Sequence, residues 1–192
     1  ILEHGISFDG SSIKGWKEIH ESDMILKPDL DSAFQDPFTE HSCTILFCDV
    51  IDPLTDKSYS RDPRGIAKKA EEYVQVSGAG AVGYIGPELE FFLFDDVKVK
   101  NTPNEASYKV DSQEGPHNSA AEFEYGNMGH RPGYKGGYFP AQPVDSLHDI
   151  RSEMTLVMEE LGLVPTLHHH EVASSQCEIG FEYDTLKNCA DN

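Results

Sequence analysis

An apolar run from Tyr84 to Phe94 that contains two glutamates, Glu88 and Glu90, limits the folds open to this chain. Its aromatic and branched residues are typical of a β-strand buried on both faces, and Gly86-Pro87 is the only break. Side chains at positions i and i+2 share one face of a strand, so both carboxylates point the same way. A Glu-x-Glu pair more often lies on a solvated face, but the apolar neighbours favour a functional pair.

A second pair of carboxylates is predicted to meet across a hairpin. Two predicted strands, residues 164–173 and 176–183, flank the dipeptide Ser174-Ser175. If these serines form the loop, Glu171 pairs directly with Glu178, and like charges in paired positions are destabilising unless compensated. A divalent cation compensates them, and all-oxygen ligands suit Mg²⁺ or Mn²⁺. Serine is a poor residue for a two-residue turn, so a wider loop with the same register is the alternative.

Three consecutive histidines, His168 to His170, come directly before this pair. Only alternate residues of a strand share a face, and no cysteine lies at zinc-ligand spacing, so a histidine-based zinc site is disfavoured. A histidine near the anionic site that hydrogen-bonds a phosphate is more plausible. We therefore assign His169 and His170 to cofactor binding.

The order of the predicted elements indicates the α+β class, because strands and helices alternate without a strict βαβ rhythm. Asp62-Pro63 predicts a helix N-cap followed by proline at the first helical position. Apolar residues at helical spacing predict a second helix within 144–162, which Gly162 ends. Residues 97–142 are polar and rich in Gly, Pro and Asn, which predicts a long functional or disordered connection.

The segment Gly78–Gly83 matches the G-x-G-x-x-G pattern of dinucleotide-binding loops. That pattern needs a strand before the glycines and a helix after them, so that the helix N-terminus meets the pyrophosphate. Here the helix comes first and the strand second. We therefore interpret the segment as a helix-to-strand turn.

Composition excludes several classes of partner. The 192 residues carry 15 Lys+Arg against 34 Asp+Glu, a formal charge of −19, which argues against binding a nucleic-acid backbone or an anionic membrane surface. No stretch approaches the ~18 apolar residues of a membrane span. The four scattered cysteines suggest reduced thiols in a cytoplasmic protein; they are Cys43, Cys48, Cys177 and Cys189.

Several short motifs occur in a characteristic order along the chain: Phe8–Ser12 followed by Glu21–Met24, then Gly86–Phe91, Gly126–Pro132, Lys135–Pro140 and His169–Ala173. Together they resemble the motifs of the bacterial type I glutamine synthetases, a family of glutamate–ammonia ligases. The resemblance covers essentially the whole chain. Motifs in this order argue strongly against a chance match.

The resemblance implies a metal-binding role for four glutamates. Glu90, Glu171 and Glu178 match the three carboxylates of the family's first metal site, and Glu88 matches one ligand of the second. The implied cofactors are Mg²⁺ or Mn²⁺, two ions per site in the complete enzyme, with ATP as a substrate.

The resemblance also implies how ammonia is handled. Asp9 and Ser12 fall in the loop that, in the family, reaches into a neighbouring subunit's active site, where the aspartate binds ammonium and removes its proton. Tyr138 matches a residue that lines the ammonium pocket. The implied partners are glutamate, ammonium, ATP and further copies of the same chain in a homo-oligomer, expected to be a dodecamer, with active sites between subunits.

Two domains follow from the same resemblance. Residues 1–58 would be the C-terminal part of a β-grasp domain with the ammonium-site loop. Residues 59–192 would be the first half of the catalytic α/β domain, an antiparallel curved sheet with flanking helices. The start of the first domain and the family's later motifs are absent from the sequence, so we expect a fragment that is inactive by itself.

The resemblance therefore implies ATP-dependent ligation of ammonia to the γ-carboxylate of glutamate. Two alternatives remain. A γ-glutamyl ligase that uses a polyamine or another amine would share the metal carboxylates, although Asp9 and Ser12 favour ammonia. A non-catalytic structural member of the family would have lost metal ligands, whereas all four visible ones are present.

Overall fold

The computed structural model describes residues 2–115 and 131–192. The strands, in chain order, are β1 (Ile6–Asp9), β2 (Asp23–Pro28), β3 (Phe34–Gln35), β4 (Thr44–Ile45), β5 (Cys48–Asp52), β6 (Lys57–Ser58), β7 (Tyr84–Ile85), β8 (Glu88–Phe92), β9 (Asp96–Thr102), β10 (Glu105–Asp111), β11 (Pro165–His170), β12 (Gln176–Phe181) and β13 (Asp184–Thr185). The α-helices are α1 (Pro63–Val76), α2 (His148–Glu160) and α3 (Leu186–Asp191). Among the described residues, no helix has both the length and the apolar character to cross a membrane.

The first of two compact units contains the chain up to Gly86 together with Tyr183–Asn192. Its main sheet has the strand order β1-β2-β5-β6, and all neighbours are antiparallel. Met24 of β2, Val50 of β5 and Tyr59 form a buried core on this sheet, and the partly buried side chains of Phe8, Trp16 and Leu26 pack against it. The predicted boundary between residues 58 and 59 stays a prediction, because these units follow spatial contacts rather than domain ancestry.

Helix α1 begins as the sequence predicts. The Asp62 side chain accepts hydrogen bonds from the backbone N–H groups of Arg64 at 3.2 Å and Gly65 at 3.1 Å, and Pro63 occupies the first turn. These bonds satisfy N–H groups that the helix itself leaves unpaired. The helix ends before Gly78, which adopts a positive φ of 74°. Strand β7 follows, so the interpretation of the G-x-G-x-x-G segment as a helix-to-strand turn is confirmed.

Arg64 of α1 joins three aspartates in this unit. Its Nε donates to Asp191 at 2.9 Å, its Nη1 donates to Asp49 at 2.8 Å, and its Nη2 donates to Asp29. The guanidinium holds the pKa of the Asp29 and Asp191 carboxyls below their usual range. Because the aspartates come from a loop, β5 and α3, this cluster ties together segments that are distant in sequence.

The second unit contains Pro87–Glu182 and a three-stranded antiparallel sheet of order β11-β12-β8. Helix α2 packs against β11 and β12 and confirms the helix expected within 144–162, although it begins only at His148. Its Arg151 is fully buried and donates to Asp145.

Two expectations about strands differ from the structure. Residues 96–111 form a hairpin, β9 with β10, so the interpretation of 97–142 as one long connection is wrong over this part. These strands have an alternating pattern, in which Val97, Val99 and Tyr108 alternate with charged neighbours. The high content of polar residues in the segment made this pattern hard to recognise from the sequence. The apolar run that contains β8 is also less buried than predicted, because β8 is an edge strand of the described sheet and Leu89 and Phe92 are half exposed.

The register of the β11–β12 hairpin is shifted by two residues from the prediction. His169, not Glu171, pairs directly with Glu178. The loop spans residues 171–175, and the Gln176 N–H closes it on the Ala173 carbonyl at 3.2 Å. A tight two-residue turn needs positive φ at both central positions (type I′) or at the first one (type II′), whereas here only the second serine, Ser175, adopts it, at 64°. The chain therefore uses a five-residue loop, and the same-register alternative is also wrong.

Candidate metal centre and active site

A row of three candidate site residues crosses the sheet of the second unit. Glu178 of the central strand β12 pairs directly with His169 of β11 on one side and with Glu90 of β8 on the other. Directly paired residues share a face, so the three side chains lie on the same surface of the sheet. Glu88 shares this face because it lies two residues before Glu90. The structure therefore agrees with the prediction that Glu88 and Glu90 point to the same side of their strand.

Glu171 reaches the same place from the loop that follows β11. Its backbone N–H donates to the Gln176 carbonyl at 2.8 Å, and its carboxylate accepts from the Val172 N–H at 2.6 Å. Ligand atoms of His169, Glu171 and Glu178 all lie within 4.8 Å of one another, a spacing that could hold a metal ion. We refer to Glu88, Glu90, Glu171 and Glu178 as the carboxylate cluster.

The electrostatics of the carboxylate cluster favour a cation. Burial raises the pKa of the Glu178 carboxyl; His169 opposes the shift, and the nearby carboxylates of Glu88, Glu171 and Glu90 add to it. Glu178 is only 9% exposed, so water does little to screen this repulsion. His169 Nε2 lies 3.6 Å from Glu178 Oε2.

The donor set fits a divalent metal ion. Carboxylate oxygens are hard ligands that suit Mg²⁺ and Mn²⁺, and several like charges on one face are stable together only when something neutralises them. Glu90 is oriented by a hydrogen bond from Gln176 Nε2 at 2.8 Å. The carboxylate cluster could therefore hold such an ion, with His169 at its border.

Tyr138 lies beside His169. The two rings meet edge to face, with centroids 5.5 Å apart and an interplanar angle of 86°. The loop that carries Tyr138 is held by two backbone bonds, from the Gly137 N–H to the Val172 carbonyl at 3.0 Å and from the Phe139 N–H to the His170 carbonyl at 2.9 Å. The structure thus brings Tyr138 next to the sheet face that carries the carboxylate cluster.

His170 is not brought to this face. It pairs with Cys177, points to the opposite side of the sheet and is fully buried. Its Nε2 lies 2.7 Å from Glu114 Oε2, and its Nδ1 lies 2.6 Å from the Glu171 carbonyl oxygen. The geometry does not support a direct contact between His170 and a cofactor, because strand alternation sends neighbouring histidines to opposite faces.

Glu114 and His170 form a buried ion pair. Burial works against both charges, but the hydrogen bonds that His170 and Ser146 donate hold the pKa of Glu114 below its usual range. The Glu114 carboxylate and the Glu171 carbonyl in turn raise the pKa of His170. Sequence reasoning missed Glu114, since it lies 56 residues from its partner in a segment without periodicity.

Asp9 and Ser12 belong to the other compact unit. Asp9 caps the short 3₁₀ turn Gly10–Ser12 and accepts bonds at Oδ1 from the Ser11 N–H at 2.9 Å and the Ser11 hydroxyl at 2.6 Å. The Ser12 hydroxyl lies 3.3 Å from Oδ2. The Ser11 hydroxyl holds the pKa of the exposed Asp9 carboxyl below its usual value. Ser11 was missed, although an aspartate followed two residues later by serine is a common turn signal.

Gly10 is required at its position by close packing. A Cβ there would lie 2.7 Å from Met24 Cγ and 3.0 Å from the Ser22 carbonyl oxygen. The Gly10 N–H also donates to that carbonyl at 2.7 Å. The turn that presents Asp9 is therefore fixed to β2. Of the motif Gly126–Pro132, only Arg131 and Pro132 lie within the described residues.

Comparisons with known proteins agree with this fold. Residues 1–53 match the family model described as "Glutamine synthetase, beta-Grasp domain", and residues 60–192 match "Glutamine synthetase, catalytic domain". The chain is 54% identical over 191 residues to a glutamine synthetase of Rhizobium meliloti (strain 1021), covering 100% of this chain and 41% of that protein. It is 53% identical over 192 residues to that of Pseudomonas aeruginosa, with the same coverage of both chains.

A solved structure shows the same architecture. The chain superposes on the cryo-EM structure of Plasmodium falciparum glutamine synthetase with a TM-score of 0.86 and 30% identity, covering 99% of this chain and 37% of that one. The fold and the site define an α+β protein with a carboxylate-rich sheet face that could hold a cation. The chain belongs to the glutamine synthetase family. It spans 41% of the length of the curated relatives described above.

Proposed function

We propose that the protein to which this chain belongs ligates ammonia to the γ-carboxylate of L-glutamate. ATP would first phosphorylate that carboxylate, and ammonia would then displace phosphate to give glutamine, ADP and phosphate. The observation that carries the proposal is the carboxylate cluster on one face of the β11-β12-β8 sheet, in a chain of the glutamine synthetase family. Its 52–54% identical relatives bear the name glutamine synthetase.

The carboxylate cluster would hold the metal ions, two per site, with Glu90, Glu171 and Glu178 at the first and Glu88 at the second. Bound Mg²⁺ or Mn²⁺ would neutralise charge on the transferring phosphoryl group, which is the main requirement of phosphoryl transfer. The nearly buried Glu178 gives this charge a low-dielectric surrounding. His169, which lies beside Glu178, would donate a hydrogen bond to a phosphate oxygen.

In the first step, a γ-carboxylate oxygen of glutamate attacks the γ-phosphorus of ATP, and ADP leaves. In the second, the nitrogen of ammonia attacks the activated γ-carbon, and phosphate leaves. Ammonium is not a nucleophile until it loses a proton, and Asp9 is the carboxylate assigned to take it. The Ser11 and Ser12 hydroxyls orient Asp9, and Tyr138 contributes its ring to the pocket wall.

The family resemblance supports an intersubunit site. Asp9 and Ser12 would serve the active site of a neighbouring copy, so the protein would be a homo-oligomer, and a dodecamer is the proposed state. The cytoplasm is the proposed location, where ATP and glutamate are abundant.

A ligase for a polyamine or another amine is the alternative that the metal ligands alone do not distinguish. The experiment gives the full-length protein ammonium, methylamine or putrescine at matched ATP and glutamate, and measures ADP release together with formation of the corresponding γ-glutamyl amide, which is glutamine when ammonia is the nucleophile. We expect kcat/KM for ammonium to exceed that for either amine. A preference for an amine would overturn the assignment of ammonia.

A matched pair of variants tests whether catalysis depends on the carboxylate cluster. Glu178→Ala should lower kcat by more than roughly 100-fold, since even groups that only orient metal ligands are worth about 10–100-fold. Glu182→Ala, an exposed glutamate beyond the end of β12, is the control and should leave kcat unchanged. Equal activity of both variants would contradict the catalytic role of the carboxylate cluster, whereas absence of ligase activity in the unchanged full-length protein would favour the non-catalytic alternative.

A further inference from the structure

His170 connects a buried carboxylate to the main chain of a proposed metal ligand. Its side chain lies on the face of β11 opposite to His169 and is fully buried. The Glu171 carbonyl oxygen can only accept a hydrogen bond, so the contact of 2.6 Å places a donated proton on His170 Nδ1. At the other end of the ring, Nε2 lies 2.7 Å from Glu114 Oε2.

Glu114 is itself held in place by two other segments. Its Oε2 accepts from the Ser175 N–H at 3.0 Å, within the loop between β11 and β12. Its Oε1 accepts from the Ser146 N–H at 3.2 Å and the Ser146 hydroxyl at 2.7 Å, just before α2. A carboxylate that is 4% exposed and bonded at both oxygens is a fixed anchor for the imidazole.

Glu171 needs such an anchor because it lies outside the regular ladder of the sheet. Strand β11 ends at His170, and the Glu171 N–H is bonded to the Gln176 carbonyl at 2.8 Å. The bond from His170 fixes the next peptide group, on the carbonyl side of Glu171. With both flanking peptide groups held, the direction in which the Glu171 carboxylate leaves the backbone is set.

The imidazole of His170 also determines how closely the loop that carries Tyr138 approaches the end of β11. A Cβ on Gly137 would lie 2.7 Å from His170 Cε1 and 2.9 Å from both His170 Nδ1 and the Glu171 carbonyl oxygen. Glycine is thus the one residue that leaves room for the ring at this point. The neighbouring Tyr138 is then brought against His169 on the other side of the strand.

We propose that His170, held by Glu114, is a positioning residue for the metal-binding carboxylate of Glu171. The same ring positions the loop that carries Tyr138. The inference rests on the proposed function, because it presupposes that the carboxylate cluster binds a divalent ion. His170 acts from behind the sheet and does not touch the ion or the substrates.

The test measures binding of Mn²⁺ alone to the full-length protein, by the electron paramagnetic resonance of free Mn²⁺ and without substrates. Two substitutions test the hydrogen bonds of the two His170 ring nitrogens separately. The amide nitrogen of asparagine can replace Nδ1, so His170→Asn can keep the bond to Glu171. The longer glutamine replaces Nε2, so His170→Gln keeps the contact with Glu114 and loses the bond to Glu171.

We expect His170→Gln to weaken Mn²⁺ binding by about 10–100-fold, the usual effect of removing a group that orients a metal ligand. The Mn²⁺ affinity of His170→Asn should be closer to that of the unchanged protein. The matched control is His168→Gln, since His168 lies on the same face of the same strand but bonds to Arg151 and Ser152 instead. A folded His170→Gln protein with unchanged Mn²⁺ affinity would overturn the inference.

A second pair of variants reaches the same contact if the His170 variants do not fold. Gly137→Ala pushes a methyl group into the imidazole and should weaken Mn²⁺ binding, whereas Gly133→Ala adds it in open space and should not. Equal affinities of these two variants would contradict the positioning role. If the unchanged protein binds no Mn²⁺, the proposed function fails as well. If the unchanged protein binds Mn²⁺ and the variants bind it with the same affinity, only the positioning role is wrong.

Discussion

Glu90 and Glu178 are directly paired across β8 and β12, so two carboxylates oppose each other on one face of the sheet. Cross-strand pairs of like charge destabilise a sheet, and Glu178 is nearly buried. A protein that keeps such a pair gains stability when a cation occupies the face. This relationship gives the carboxylate cluster a signature that can be measured without following catalysis.

Replacing Glu178 should have opposite effects without and with metal. Glu178→Gln removes one of the opposed charges and should raise the melting temperature of the chelated full-length protein. It should also reduce the additional stabilisation that Mn²⁺ gives, because a ligand that binds only the folded state stabilises it. Thermal unfolding with chelator and with Mn²⁺ checks both changes. With Glu182→Gln as the control, an unchanged metal response in Glu178→Gln would contradict the metal site.

Replacing Asp9 should affect ammonia more than the nucleotide. Asp9→Ala in the full-length protein should lower kcat/KM for ammonium while the dissociation constant of ATP stays nearly unchanged, because the proposed role of Asp9 is to act on the nucleophile. Steady-state assays that vary ammonium and ATP separately, together with direct ATP binding, make the comparison. Equal losses for both substrates would mean that the loop is a general assembly element.

Acid should weaken the cluster around Arg64. Because the folded-state pKa values of Asp29 and Asp191 are lowered, these groups contribute stability that is fully present above their unfolded pKa of about 3.9. That contribution is lost as the pH falls through the lower folded values. Urea unfolding at several pH values should therefore show a smaller acid loss for Asp191→Asn. The exposed Asp31→Asn is the control, and identical pH profiles of the two variants would contradict the prediction.

Assembly gives a further prediction. If Asp9 serves a neighbouring copy, the full-length protein should be a large homo-oligomer, and light scattering should give a mass of many subunits. A charge of −19 on this segment of each copy implies mutual repulsion, which metal binding at the carboxylate cluster would reduce. We therefore expect the oligomer to resist dissociation by heat better with Mg²⁺ than with chelator. A fully active monomer would contradict the intersubunit role of Asp9.

The sequence predicted local features where neighbouring residues decide them. The Asp62-Pro63 cap, the stop at Gly78 and the shared face of Glu88 and Glu90 follow from backbone geometry within a few residues, and the structure has all three. The ordered motifs were sufficient to indicate the glutamine synthetase family, which the family models support.

Tertiary structure decided what depends on residues far apart in the chain. The register that pairs His169 with Glu178 depends on how the five-residue loop closes, and a shift of two residues preserves the faces, so periodicity does not distinguish it. The burial of His170 depends on Glu114, 56 residues away, and no local pattern marks that partner. Sequence alone determined which faces carry the carboxylates, because strand alternation is local; only the folded chain decided which side chains meet on those faces, because their pairing is set by long-range packing.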